Sequence, residues 1–229
     1  KPAYWKSEKY NTASNTFRDK YGFLPGDINQ DKALELGLYD RTAVGAAGNG
    51  DANGMLQACA QTAAAGLLAG CETTLYWRDL NDAGFVDGFF QSADETVATV
   101  ANLEDIVNWF PQAKLGRGNF ITVFSAEGRN WFQITGITAL TAGAYTLTLA
   151  LSPSEAYNMD NKLDDGRPLS GSVRALDDLA VINTASTAAA PAAGICVGDG
   201  SGTAPANTYN NETEAFSNTP ACQLRFRFN

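Results

Sequence analysis

The sequence predicts an α+β fold: a long N-terminal helix packed on an antiparallel sheet of about four strands, with long loops and a disulfide-tied C-terminal region. Three observations carry this. Tyr10, Ala13, Phe17 and Tyr21 recur at steps of three and four, one apolar stripe of a helix. From Asn119 onward the apolar period drops to two, the period of a strand. Four cysteines, Cys59, Cys71, Cys196 and Cys222, stand at wide spacing.

The elements follow in order. Residues 4–22 form the leading helix, with Lys6, Glu8, Lys9, Arg18, Asp19 and Lys20 on its other faces. Gly22 stops it and Pro25-Gly26-Asp27 turns the chain. Residues 28–56 read as irregular, with 45–54 a loop by composition. A second helix spans 72–83 and ends at Gly84, and a shorter one falls within 94–109, closed by Pro111. Strands are expected at 119–125 and 131–137 around a hairpin connection, and at 145–149. Ser152-Pro153-Ser154-Glu155 starts a short helix, and Asp165-Gly166 stops it. A fourth strand is expected at 172–176. Residues 184–220 are a long loop. Residues 223–228 close the sheet, with Leu224, Phe226 and Phe228 on one face and Gln223, Arg225 and Arg227 on the other.

At 229 residues the simplest organisation is a single domain, 1–229. It divides into a helix (1–22), loops with short helices (23–118), and a sheet with a C-terminal loop region (119–229). Hydrophobic residues make up 45% of the chain, which places it among folded proteins. The net charge of −9 and the lack of any basic run argue against nucleic acid and against a polybasic membrane patch. There is no histidine, which excludes Ser-His-Asp and Cys-His catalysis. Carboxylate chemistry and calcium stay open. No apolar run is long enough to span a bilayer.

The cysteines contain no CxxC pair, so zinc-ribbon and thioredoxin-like readings are weak. Two disulfides in an oxidising compartment suit an even count at wide spacing. Three connectivities are possible, and the sequential one, Cys59–Cys71 with Cys196–Cys222, is the expectation. A straight helix from Cys59 to Cys71 would separate their Cα atoms by about 18 Å. A disulfide needs less than about 7 Å, so that pairing requires the Ala-rich segment between them to fold back.

Several runs resemble the type IV pilin and type II secretion pseudopilin family. They are Asn15-Thr16-Phe17-Arg18-Asp19-Lys20-Tyr21-Gly22-Phe23-Leu24-Pro25-Gly26-Asp27, then Tyr76-Trp77-Arg78-Asp79-Leu80-Asn81-Asp82-Ala83-Gly84-Phe85, then 153–168 with its Asp164-Asp165-Gly166-Arg167-Pro168, and the closing Cys222-Gln223-Leu224-Arg225-Phe226. The family's hydrophobic N-terminal helix is absent, and Lys1 would lie partway down it. The resemblance implies a non-catalytic exported domain of a type IV pilus or type II secretion pseudopilus-like filament. It implies other pilin or pseudopilin subunits as partners, and membrane contact only through the absent helix. The location implied is periplasmic or extracellular, anchored in the inner membrane before filament assembly.

Two oxygen-rich clusters are candidate calcium sites. Asn49, Asp51 and Asn53 alternate before Gly54, as at the start of a calcium loop, and Met55 offers a carbonyl. Ala60 stands where a bidentate Glu belongs, and Glu72 replaces it if the 59–71 segment loops out. The alternative is a solvated turn. Asp160, Asp164 and Asp165 form the second cluster, with 160 and 164 sharing a helical face. Its alternative is a helix C-terminal turn closed by Gly166. Asp177, Asp178 and Asp199 add oxygen ligands late in the chain, where pseudopilins as a group hold calcium. Trp5 and Trp131 are candidates for sugar stacking, set against core or filament packing. Two other functions compete with the filament subunit. One is a minor pilin or adhesin-type binding module using loops 28–56 and 184–220. The other is a secreted carboxylate-dependent hydrolase.

Overall fold

A computed structural model describes residues 4–41, 50–57, 71–90, 103–113, 115, 118–141, 144–176, 196–198, 207–211 and 214–228. Helix α1 (Tyr4–Tyr21) follows the stripe read from the sequence. It is of moderate length rather than long. Gly22 ends it at φ +80°, donating its N–H to the Arg18 carbonyl at 2.8 Å. Tyr10, Ala13 and Phe17 are buried, and Tyr21 is half-buried. The Tyr10 ring meets Trp77 edge-on at 4.9 Å and lies 6.2 Å from Phe132. The stripe therefore packs first on a second helix and, behind it, on the sheet.

That second helix, α3 (Glu72–Asp82), is buried on most of its circumference, including Leu75, Tyr76, Trp77 and Leu80. Tyr76 reaches Phe132 at 6.1 Å and Phe228 at 5.8 Å. Between α1 and α3 in sequence lies α2 (Gln30–Glu35), in a stretch read as irregular. Asn29 caps it, its side-chain oxygen accepting the Lys32 N–H at 2.9 Å. Within the expected 94–109 helix, the described part is a single turn, α4 (Leu103–Ile106).

Among the described residues the sheet is antiparallel and has five strands rather than about four. They are β1 (Asn119–Ala126), β2 (Arg129–Thr141), β3 (Ala144–Thr148), β4 (Val173–Leu176) and β5 (Gln223–Phe228). The order is β1-β2-β5-β4, with β3 also paired to β2. Strand β2 is long enough to take β5 along Asn130–Ile134 and β3 along Gly136–Thr141. Glu127 and Gly128 turn the β1–β2 hairpin, both at positive φ. Helix α5 (Pro153–Leu163) starts at a capping box in which Ser152 and Glu155 bond each other's backbone N–H. A last turn, α6 (Glu214–Ser217), precedes β5.

One face of the sheet carries Phe132, Ile134, Leu224, Phe226 and Phe228 and packs on the helices. The opposite face carries Phe124, Trp131, Gln133, Gln223 and Arg225, which are buried, and Arg227, which is exposed. Arg225 lies 4.4 Å from the Trp131 ring and is paired with Glu127 at 3.0 Å. Trp131 donates its indole N–H to the Ala126 carbonyl, so it serves packing rather than an exposed stacking surface.

Cys196 and Cys222 form the expected disulfide, joining the segment before α6 to the start of β5. Cys71 is disulfide-bonded as well, while Cys59 lies outside the described residues. Among the described residues no helix is long and apolar enough to cross a membrane.

Candidate functional site

The Pro25-Gly26-Asp27 turn and the first turn of α3 lie against each other. Gly26 has φ +85°, and a Cβ there would run into the Glu72 carbonyl oxygen and come within 2.9 Å of the Tyr76 nitrogen. Gly26 donates its N–H to Asp79 at 2.7 Å. The Asp79 carboxylate pairs with Arg41, and both side chains are wholly buried. Arg41 also donates to the Ile28 carbonyl at 2.7 Å and to that of Gly26 at 3.3 Å. This buried pair fixes the turn from below. Burial drives the Asp79 carboxyl upward and the Arg41 guanidinium opposes that rise.

On that frame stand three carboxylates, Asp27, Asp51 and Glu72, each offering an oxygen within 4.8 Å of the others. Asp27 receives the N–H groups of Ala52 at 2.8 Å and Gly54 at 2.6 Å. It is pushed up to about 6, first by burial, with the adjacent Asp51 charge adding and the backbone donors opposing. Glu72 accepts from the Gln57 N–H at 2.7 Å. Burial pushes it up to about 8, with Asp27 and Asp51 adding to the rise. The site thus concentrates negative charge where water is scarce, which favours either a bound proton or a cation. The carboxylates supply only hard oxygen donors, the type that calcium takes and softer metals do not prefer.

The expected calcium ligands are arranged as follows. Asp51 and Glu72 come together, as the loop reading required. Asn53 donates its side-chain amide to Asp51 at 2.8 Å, and its oxygen accepts the Met55 N–H at 2.7 Å. Asn49 lies outside the described residues. Sequence reasoning missed Asp27, which it took only as part of a turn. The Pro-Gly-Asp run shows only that glycine permits a close backbone approach there, and the packing of Gly26 on α3 is what brings Asp27 to the other two. A cleft of about 390 Å³ adjoins the site. Of the three carboxylates, Asp27 alone lines it, so the paired acids that a hydrolase needs do not both face the cleft.

Asp160, Asp164 and Asp165 also cluster within 4.8 Å. Asp160 accepts from the Tyr209 hydroxyl at 2.7 Å and the Gly166 N–H at 3.2 Å. Burial lifts Asp160 to about 6, and its neighbouring carboxylates add to the rise. Asp164 accepts from the N–H groups of Ser172 and Val173. Asp165 accepts from the Arg167 N–H at 2.9 Å and the Ser170 hydroxyl at 2.8 Å. These bonds organise the loop after α5. Asp177, Asp178 and Asp199 lie outside the described residues, as does the side chain of Trp5.

No family model, no curated protein and no solved structure matches this chain.

Proposed function

We propose that this chain is the exported, non-catalytic domain of a filament subunit of the type IV pilin or type II secretion pseudopilin kind. The observation that carries the reading is the run Asn15 to Asp27. It resembles the family's helix-ending run, and here it joins α1 to the turn on which α3 and the 50–54 loop are built. The α+β layout and the disulfide before the terminal strand support it. In such an assembly α1 lies toward the filament axis and the sheet toward its surface. The calcium expected at Asp51 and Glu72 belongs to this proposal, with Asp27 as a third ligand.

The test is made in cells that carry the gene. Antibody to this domain should decorate sheared surface or periplasmic filaments in immunogold electron micrographs, and deleting the gene should remove those filaments or the secretion they serve. A deletion strain with unchanged filaments and secretion, and antigen found only as free monomer, would overturn the reading. Calcium is tested separately: the ion should raise the melting temperature over a chelated sample, and Asp27→Asn should abolish the increase.

A further inference from the structure

The loop after α5 and the segment 207–211 enclose a cleft of about 500 Å³ that the filament reading leaves unused. That volume falls in the range of small-ligand sites, about 300–1,000 Å³. Its walls are fixed by side-chain bonds. Asn207 accepts the Leu169 N–H at 2.7 Å and donates to Ser170 at 2.9 Å. Tyr209 donates to Asp160, and its backbone bridges Val197, next to the Cys196–Cys222 disulfide. The Tyr157 ring stands in the cleft, edge-on to Tyr209 at 6.1 Å. Gly166 keeps this corner open: at φ +69°, a Cβ there would sit 3.3 Å from the Tyr157 ring and 3.1 Å from the Asn161 side-chain oxygen.

We propose that this cleft binds a neutral pyranose of a glycan. An aromatic ring offers a surface to the C–H face of a sugar. Around it stand planar polar groups, the amides of Asn161 and Asn211, the Arg167 guanidinium and the Asp165 carboxylate. Such groups give and accept paired hydrogen bonds, as vicinal hydroxyls require. The lining carries one cation, Arg167, and one anion, Asp165, and the Asp160 and Asp164 carboxylates cluster with Asp165, so this local charge and the net charge of −9 disfavour anions such as phosphates. Such binding stands whether or not the chain assembles into filaments.

The test is saturation-transfer NMR on the 229-residue chain with methyl α-mannopyranoside, methyl β-galactopyranoside and N-acetylglucosamine. At least one should bind with a Kd of about 1–10 mM, typical of a single sugar ring held by few contacts. Tyr157→Ala and Asn211→Ala should each weaken it about tenfold, a loss of about 1.4 kcal/mol. Asp31→Asn, an exposed position on α2 outside the cleft lining, should leave it unchanged. Asn211 is exposed, so its variant decides the matter if the Tyr157 variant misfolds. The proposal is overturned if none of the three sugars shows transfer at about 20 mM. It is equally overturned if Asn211→Ala binds as the parent does, or if inorganic phosphate displaces the sugar.

Discussion

Asp27 and Glu72 face one another across the junction of a turn and a helix, and their carboxylates share a space from which water is largely excluded. Both are held above the usual carboxylate range, Asp27 at about 6 and Glu72 at about 8. Neither local sequence requires this. It follows from packing Gly26 directly against α3.

The first prediction is the pH dependence of stability. A carboxyl whose folded pKa is raised stabilises the fold fully only below its unfolded pKa, near 4. That contribution is lost as pH rises through about 6 for Asp27 and about 8 for Glu72. Without divalent cations, the melting temperature should therefore fall between pH 4 and pH 8. One pKa unit is about 1.4 kcal/mol, and in a chain of this size each kcal/mol moves the melting point by about 2–4 °C. Asp27 rises from 3.8 to about 6 and Glu72 from 4.5 to about 8, so a fall of upwards of about 10 °C is expected from this pair. Glu72→Gln should flatten the profile and melt higher than the parent at pH 8. Parallel melting curves for both proteins would contradict the assignment.

Much of the fold was legible because period survives in sequence. The stripe of α1, the alternation of β5 and the Ser152 cap all read correctly, since each is set by residues within one or two turns of chain. Helix α2 was not legible. Six residues in a Gly- and Asn-rich setting leave no period to count, and Asn29 was its one local signal. The burial of Arg225 was not legible either. Alternation with Leu224 and Phe226 marks a polar face, but it carries no information that Arg225 is buried on it while Arg227 is exposed. The site was half legible: Asp51 and Glu72 were found from spacing and loop-back, whereas Asp27 joins them only through tertiary packing.

A paired substitution tests that packing. Gly22 and Gly26 both have positive φ, but only Gly26 is crowded, with nothing within 4 Å of a Cβ at Gly22. Gly22→Ala should cost about 1 kcal/mol for the left-handed backbone alone. Gly26→Ala adds a clash with α3 and should cost about 2–4 kcal/mol. Urea denaturation of the two variants measures both. Equal costs would mean that the close contact does not matter.

The Cys196–Cys222 disulfide closes a loop with a sequence separation of 26. Chain-entropy reasoning gives about 3.5 kcal/mol for a loop of that length. The double variant Cys196→Ala/Cys222→Ala should lose about that much in denaturant titration. Because Val197 and Tyr209 are bridged beside the bond, the 207–211 segment should also lose amide-exchange protection before β1 and β2 do. Uniform loss across the sheet would show instead that the bond holds the whole fold.

The Arg41–Asp79 pair makes the last prediction. Both side chains are fully buried, and the carboxylate also holds the Gly26 N–H while the guanidinium holds two turn carbonyls. Removing one partner strands a charge in a dry environment and typically costs about 3–5 kcal/mol. Arg41→Met and Asp79→Leu should each fall in that range in urea titrations. The double variant removes both charges, so it should lose much less than the two single costs combined, with a coupling above about 2 kcal/mol. It should still not return to the parent level. The Gly26 N–H and the Gly26 and Ile28 carbonyls would then be left without the pair that holds them, and each buried unpaired polar group costs about 1–3 kcal/mol. Additive single effects would mean that the two charges stabilise the turn independently, the pair being incidental to it.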